Sequence, residues 1–317
     1  KWLAKLFNPA VMGVFIFLLG VQLVGIFFQG MIGIPFGNEA QSGSIDLPVA
    51  LLSVIIVIIV ILINVKGPIS IRKYGLLIGI MIGWMAYVLI FKPEYPTTPA
   101  SFSFEIFPLG APAWDVGVIL TAVLAGIVNL ANTFGALRGS EELFEEKTSN
   151  RQYSASLVTT GFFNGIAGLF GLVPYSPYVS SIGFLIQTNI INRLPFILGG
   201  LMFLVMGLVP ALGAFFAKLP LSVGSAVLFV AYVLLFNSAW NFFGQVSFNT
   251  MNVYRVAVPL FVGIVIMTMP ATYFETIPTF IRPLLSSGLL VGVFLAVILE
   301  NTIKWDRIGQ SKAEEVK

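Results

Sequence analysis

The chain has 317 residues, 57% of them hydrophobic and 10% charged, with a mean hydropathy of +0.96 and a formal net charge of +3. A soluble globular protein carries about 25% charged residues, so this chain lacks the polar surface that water requires. It has no cysteine and no histidine, which excludes disulfides, thiolate chemistry, imidazole metal sites, a Ser-His-Asp triad and a histidine proton relay. No G-x-x-x-x-G-K-[ST] loop is present to cradle ATP. No nucleophile–base pair suggests an enzyme, and nothing implies a cofactor or metal. Apolar stretches repeatedly reach the roughly 20 residues that cross a bilayer as a helix. The alternating strands of about 10 residues that build a porin are not seen. The expected fold class is therefore all-α and polytopic, with the lipid bilayer as solvent and no nucleic acid as partner.

In chain order, spans are expected at about 9–33, 47–65, 73–91, 113–137, 154–172, 173–190, 194–213, 218–237, 253–271 and 282–300. The run LLSVIIVIIVILI at 51–63 is β-branched, but in lipid a helix is the simple way to satisfy its backbone. With Lys1 in the cytoplasm, fourteen of the 17 Lys and Arg residues fall on that side, and Lys92, Lys218 and Arg282 fall outside. That asymmetry follows the positive-inside rule and predicts a cytoplasmic C-terminus. The acidic run EELFEE at 141–146 reads as a solvated helix end. Asp115 and Glu300, near span ends, read as solvated as well. The tail from 304 to 317 is polar and cytoplasmic.

The hydrophobic pattern breaks between Gly171 and Gly183. Pro174 and Pro177 cannot continue a helix, and each pushes the residue before it toward extended geometry. The twelve residues Val179 to Ile190 that follow are too few for a full crossing of about 20. The pattern predicts an extended segment leading into a half-helix within 173–190. Such interrupted spans mark midplane substrate sites in secondary transporters, because a half-helix N-terminus offers free N–H groups. A plain proline kink is the competing reading. Ser180, Gly183 and Gln187 share one helical face, suited to a pocket or to tight packing. Asn129 and Asn132 share a face of the span 113–137, and in a bilayer each needs a partner.

Several stretches together resemble the nucleobase permease family of uracil, xanthine and purine transporters, also called nucleobase–ascorbate transporters. Leu6-Phe7-Asn8-Pro9-Ala10-Val11-Met12-Gly13, continuing through Leu19-Gly20-Val21-Gln22-Leu23, is similar to that family's fifth segment. Asn132-Thr133-Phe134-Gly135-Ala136-Leu137 resembles the end of its eighth-segment motif, and Gly161, Gly168 and Gly171 the glycine ladder of its ninth. Pro174 through Gly183 resembles the broken tenth, and Leu219-Pro220-Leu221-Ser222-Val223-Gly224 the start of its twelfth. The resemblance implies a seven-plus-seven inverted-repeat fold with core and gate domains, of which this chain matches segments five to fourteen. It places gate helices at 1–112, core at 113–217 with the broken segment at 173–190, further gate helices at 218–303 and the tail at 304–317. By the same resemblance, the missing N-terminal segments of the same protein, including the partner broken segment, complete the site. This chain alone is then not expected to transport.

The implied substrate-binding residues are Asn132, Ser180, Tyr178, Ser181, Asn129, Val179 and Gln187. The family commonly places glutamates, tied to proton coupling, where Asn132 and Ser180 stand here. An Asn offers both a donor and an acceptor to the edge of a base, but it carries no proton at physiological pH. Tyr178 and the N–H groups at Val179–Ser181 would shape the pocket. The implied function is secondary active transport of a purine or pyrimidine nucleobase across the cytoplasmic membrane, with room for a homodimer. An anion transporter of the sulfate or bicarbonate kind shares the architecture, and a non-transporting base-binding membrane protein is a further alternative.

Overall fold

The computed structural model describes residues 8–35, 44–95, 104–112, 114–178, 181–182, 185, 190–250, 252–278, 281–303 and 305. Regular structure among these residues is helical throughout. The helices are α1 (Pro9–Met31), α2 (Leu47–Lys66), α3 (Ile69–Arg72), α4 (Gly75–Phe91), α5 (Val116–Phe144), α6 (Asn150–Leu169), α7 (Arg193–Leu208), α8 (Pro210–Phe216), α9 (Leu221–Val233), α10 (Leu235–Gly244), α11 (Tyr254–Thr268), α12 (Arg282–Leu285) and α13 (Gly288–Thr302). A 3₁₀ turn spans Ala271–Phe274.

Among the described residues, four helical segments are long and apolar enough to cross a membrane: Pro9–Met31, Leu47–Lys66, Val116–Glu141 and Leu221–Gly244. The last joins α9 and α10 across Leu234. α4, α11 and α13 are apolar but shorter. α2 leaves Leu51, Ile55, Ile58 and Leu62 exposed along its length, a surface that hydrocarbon accommodates and water does not. The chain is a multi-pass helical membrane protein.

Local chemistry sets the helix ends. Asp46 opens α2 by accepting from Val49 N at 3.2 Å, with Pro48 in the first turn. Ser149 and Gln152 form a capping box at the start of α6. Asp115 opens α5 by accepting from Val118 N at 2.8 Å. α5 runs past the expected end at 137 to Phe144, where Glu145 closes it in the left-handed conformation (φ 53°). The expected span at 194–213 is not one straight helix. α7 and α8 meet at 104°, because Pro210 holds Val209 extended at φ −108° and ψ 96°.

The chain packs as two compact units, one of residues 1–22, 106–183 and 235–317, the other of 23–105 and 184–234. In the second, Met31, Leu52, Ile56, Val60, Val223, Val227 and Val230 form a buried core between α2, α4 and α9. α4 enters it through Gly79 and Gly83, where a Cβ would overlap Val60 or lie 2.6 Å from Ile56 Cδ1 and 2.8 Å from Val223 Cγ1. In the first unit, α11 and α13 approach backbone to backbone. A Cβ on Gly292 would lie 2.9 Å from the Pro259 carbonyl oxygen. Glu300 departs from expectation here: its side chain is 3% exposed and paired with Arg255, because α13 packs closely on α11 and turns this one side chain toward it.

Candidate functional site

The candidate site lies within the first unit, on α5, α6 and the stretch that follows α6. α5 is most buried from Asn132 to Ala136. One turn of this run is closed by α6, whose Tyr153 ring lies 5.3 Å from Phe134. Asn132 is 7% exposed. Its Nδ2 donates to Asn129 Oδ1 at 2.9 Å, one turn earlier on the same face.

α6 ends in a reversal at Gly171, which holds φ 63°, a region that only glycine enters at little cost. Leu172 N donates back to the Ala167 carbonyl at 2.9 Å, satisfying one of the helix's terminal acceptors. Residues 172–178 then carry no helix, as Pro174 and Pro177 require. Non-helical backbone in a membrane protein must find partners in surrounding protein or a water-lined cavity, and two asparagines hold this stretch, one through its backbone and one through a side chain. Asn164 Oδ1 on α6 accepts from Tyr175 N at 2.9 Å. Asn129 Oδ1 on α5 accepts from Ser176 Oγ at 3.1 Å, and Ser176 is 3% exposed.

Helical backbone returns at 181, 182 and 185. Ser181 N donates to the Tyr178 carbonyl at 3.0 Å. Ile182 packs on α5 at Gly139, where a Cβ would lie 3.0 Å from Ile182 Cγ1. The stretch therefore follows α5, touching it at Asn129 through Ser176 and at Gly139 through Ile182. Asn132 lies on α5 between these two contacts.

Asn132 Oδ1 is fully buried and has no hydrogen-bond partner among the described residues. Buried polar atoms without partners are rare, and a ligand is one reason to keep one. The groups gathered here are amides, hydroxyls and backbone, all neutral, so the arrangement suits a neutral polar ligand that donates an N–H. Of the residues predicted from sequence, Asn129 and Asn132 meet directly. Tyr178 is 46% exposed and bonded through its carbonyl to Ser181. Val179, Ser180 and Gln187 lie outside the described residues. Ser176 and Asn164 were not predicted. Asn164 carried a signal, since a polar side chain on a membrane helix beside a proline-broken stretch is a natural partner for that stretch's unpaired N–H groups.

The family model described as Permease family (Xan_ur_permease) matches residues 1–272. The uric acid permease PucJ of Bacillus subtilis (strain 168) is 27% identical over 308 residues, covering 94% of this chain and 67% of its own length. The uric acid transporter UacT of Escherichia coli (strain K12) is 25% identical over 307 residues, covering 94% and 62%. The xanthine permease of Bacillus subtilis (strain 168) is 23% identical over 303 residues, covering 94% and 68%. The family model takes in most of the chain, including α5, α6 and the broken stretch between them and α7, and on that match the chain belongs to the nucleobase permease family.

Proposed function

We propose that this chain serves secondary transport of a neutral nucleobase of the oxidised-purine class across the cytoplasmic membrane, and that it contributes part of the substrate site where α5 meets the stretch that follows α6. The relatives' names supply the substrate class. The observation that carries the site is the buried Oδ1 of Asn132, which has no partner among the described residues. Oxidised purines present ring N–H groups that such an acceptor can receive. By the family resemblance, Val179, Ser180, Ser181 and Gln187 are further binding residues, with Tyr178 and Asn129 beside them. The neutral residues at the site and the relatives' names both leave the sulfate or bicarbonate reading unfavoured.

In this reading residues 113–217 form a core that moves against gate helices at 1–112 and 218–303, within a seven-plus-seven inverted repeat. The compact units follow a different division, since packing density and relative motion are separate properties of a helix bundle. The charge asymmetry supports a cytoplasmic C-terminus. A homodimer is compatible with the large exposed apolar surface.

The test is thermal-shift binding of a panel holding xanthine, uric acid, uracil and sulfate to the detergent-purified intact permease. A ligand that binds only the native state raises the melting point by mass action. Xanthine or uric acid is expected to raise it, and Asn132→Ala and Ser180→Ala to abolish the rise. A shift with sulfate alone, or one that survives both substitutions, rejects the site.

A further inference from the structure

A second polar cluster in the first unit joins α1, α11 and α13. Glu300 stands in the last turn of α13, where its charge opposes the helix dipole, so local helix stability does not explain it. Its side chain is nonetheless buried and fully engaged. Arg255, in the first turn of α11, donates from Nε to Oε1 at 2.6 Å and from Nη2 to Oε2 at 2.7 Å. Asn8 donates from Nδ2 to Oε2 at 2.6 Å. Asn8 Oδ1 accepts from Val11 N at 3.0 Å and so caps the start of α1. The cap fixes which end of the Asn8 amide faces the carboxylate.

Three helix ends, distant in sequence, thus meet on one carboxylate. The Glu300 charge lies at the N-terminal ends of both α1 and α11, where the dipoles favour an anion. The approach to Arg255 is stiffened by a reciprocal pair. Asn249 N donates to Asn252 Oδ1 and Asn252 N donates to Asn249 Oδ1, both at 2.7 Å. A buried charge pair gives little net stability compared with apolar packing, and its best-attested use is to fix a unique arrangement. The bidentate fork does so through direction as well as distance.

We propose that Asn8, Arg255 and Glu300 form a charged clasp that makes α1, α11 and α13 one rigid body in the transport cycle. The clasp positions the helices against which the substrate-bearing stretch works, and it takes no part in binding the base. The role in transport rests on the proposed function. The clasp itself rests on the contacts above.

The experiment compares Asn8→Ser, Asn8→Asp and the double variant Asn8→Asp with Glu300→Gln in the intact permease. Ser and Asp both keep the helix cap. Only Asp sets a second carboxylate against Glu300, and Gln removes that repulsion. In proteoliposomes, radiolabelled xanthine uptake is expected to fall about tenfold or more in Asn8→Asp relative to Asn8→Ser. The double variant recovers it, while xanthine Kd stays at the wild-type value throughout. The ligand-free melting temperature follows the same order. Equal uptake in Asn8→Ser and Asn8→Asp, or no recovery in the double variant, overturns the proposal. Should Asn8→Asp fail to accumulate, Arg255→Lys replaces it. Lys keeps the charge without the fork, and slower uptake at unchanged Kd supports the clasp, whereas a changed Kd overturns it. A wild-type protein that binds neither xanthine nor uric acid overturns the substrate assignment instead, and the melting-temperature order still decides the clasp.

Discussion

Single residues decide how the chain leaves α6 and passes beside α5. Gly171 turns it, Asn164 takes the Tyr175 N–H, and Asn129 takes the Ser176 hydroxyl. Gly171→Ala would force an L side chain into the left-handed region and set its Cβ 3.0 Å from Pro108 Cγ. The expected cost is about 1–2 kcal/mol, measurable as a lower melting temperature in detergent; an unchanged value would mean the turn is not held in this conformation. The asparagine pair was legible because residues three apart on a helix share a face. The Asn129 bond to Ser176 was not, because the two are 47 residues apart and only the fold brings them together.

At the scale of elements, small residues set how closely helices approach, because lipid gives apolar side chains little reason to prefer another helix. α4 meets α2 and α9 through glycines on one face. Gly83→Leu is expected to destabilise by about 1–3 kcal/mol through overpacking against Ile56 and Val223. Gly200→Ala on α7 provides the contrast: a Cβ there meets nothing within 4 Å, and Ala favours a helix by about 1 kcal/mol. Thermal denaturation of the two variants should shift in opposite directions; a Gly83→Leu protein as stable as wild type would show that these helices are not packed this closely. The spans at 9–33 and 47–65 were legible because composition alone makes them apolar. The bend before α8 followed from Pro210, a residue the hydrophobic pattern by itself passes over.

For the whole molecule, charge placement predicts an orientation with the C-terminus in the cytoplasm. The absence of cysteine makes single introduced thiols clean reporters. With a membrane-impermeant maleimide on intact cells, Lys92→Cys is expected to react at once and Ser311→Cys only after permeabilisation. The reverse pattern would invert the topology, and labelling of both in intact cells would remove a crossing between them. Membership of the permease family and the neutral character of the site belong to this scale too. The first comes from residues 1–272 as a whole, the second from which side chains gather around α5.

Glu300 and Pro174 mark the boundary between sequence and tertiary structure. By itself the sequence determined that the chain is helical and lies in a membrane, because its apolar runs reach crossing length as helices and lack the alternation a barrel needs. It also placed the break at Pro174 and Pro177, because two prolines three apart each lack the N–H and fix φ, whereas the single Pro259 sits inside α11. Only the tertiary structure decided that Asn132 keeps a buried acceptor without a partner among the described residues and that Glu300 is enclosed by Asn8 and Arg255. Burial and pairing depend on what neighbouring helices place around a side chain, and those neighbours come from remote parts of the chain.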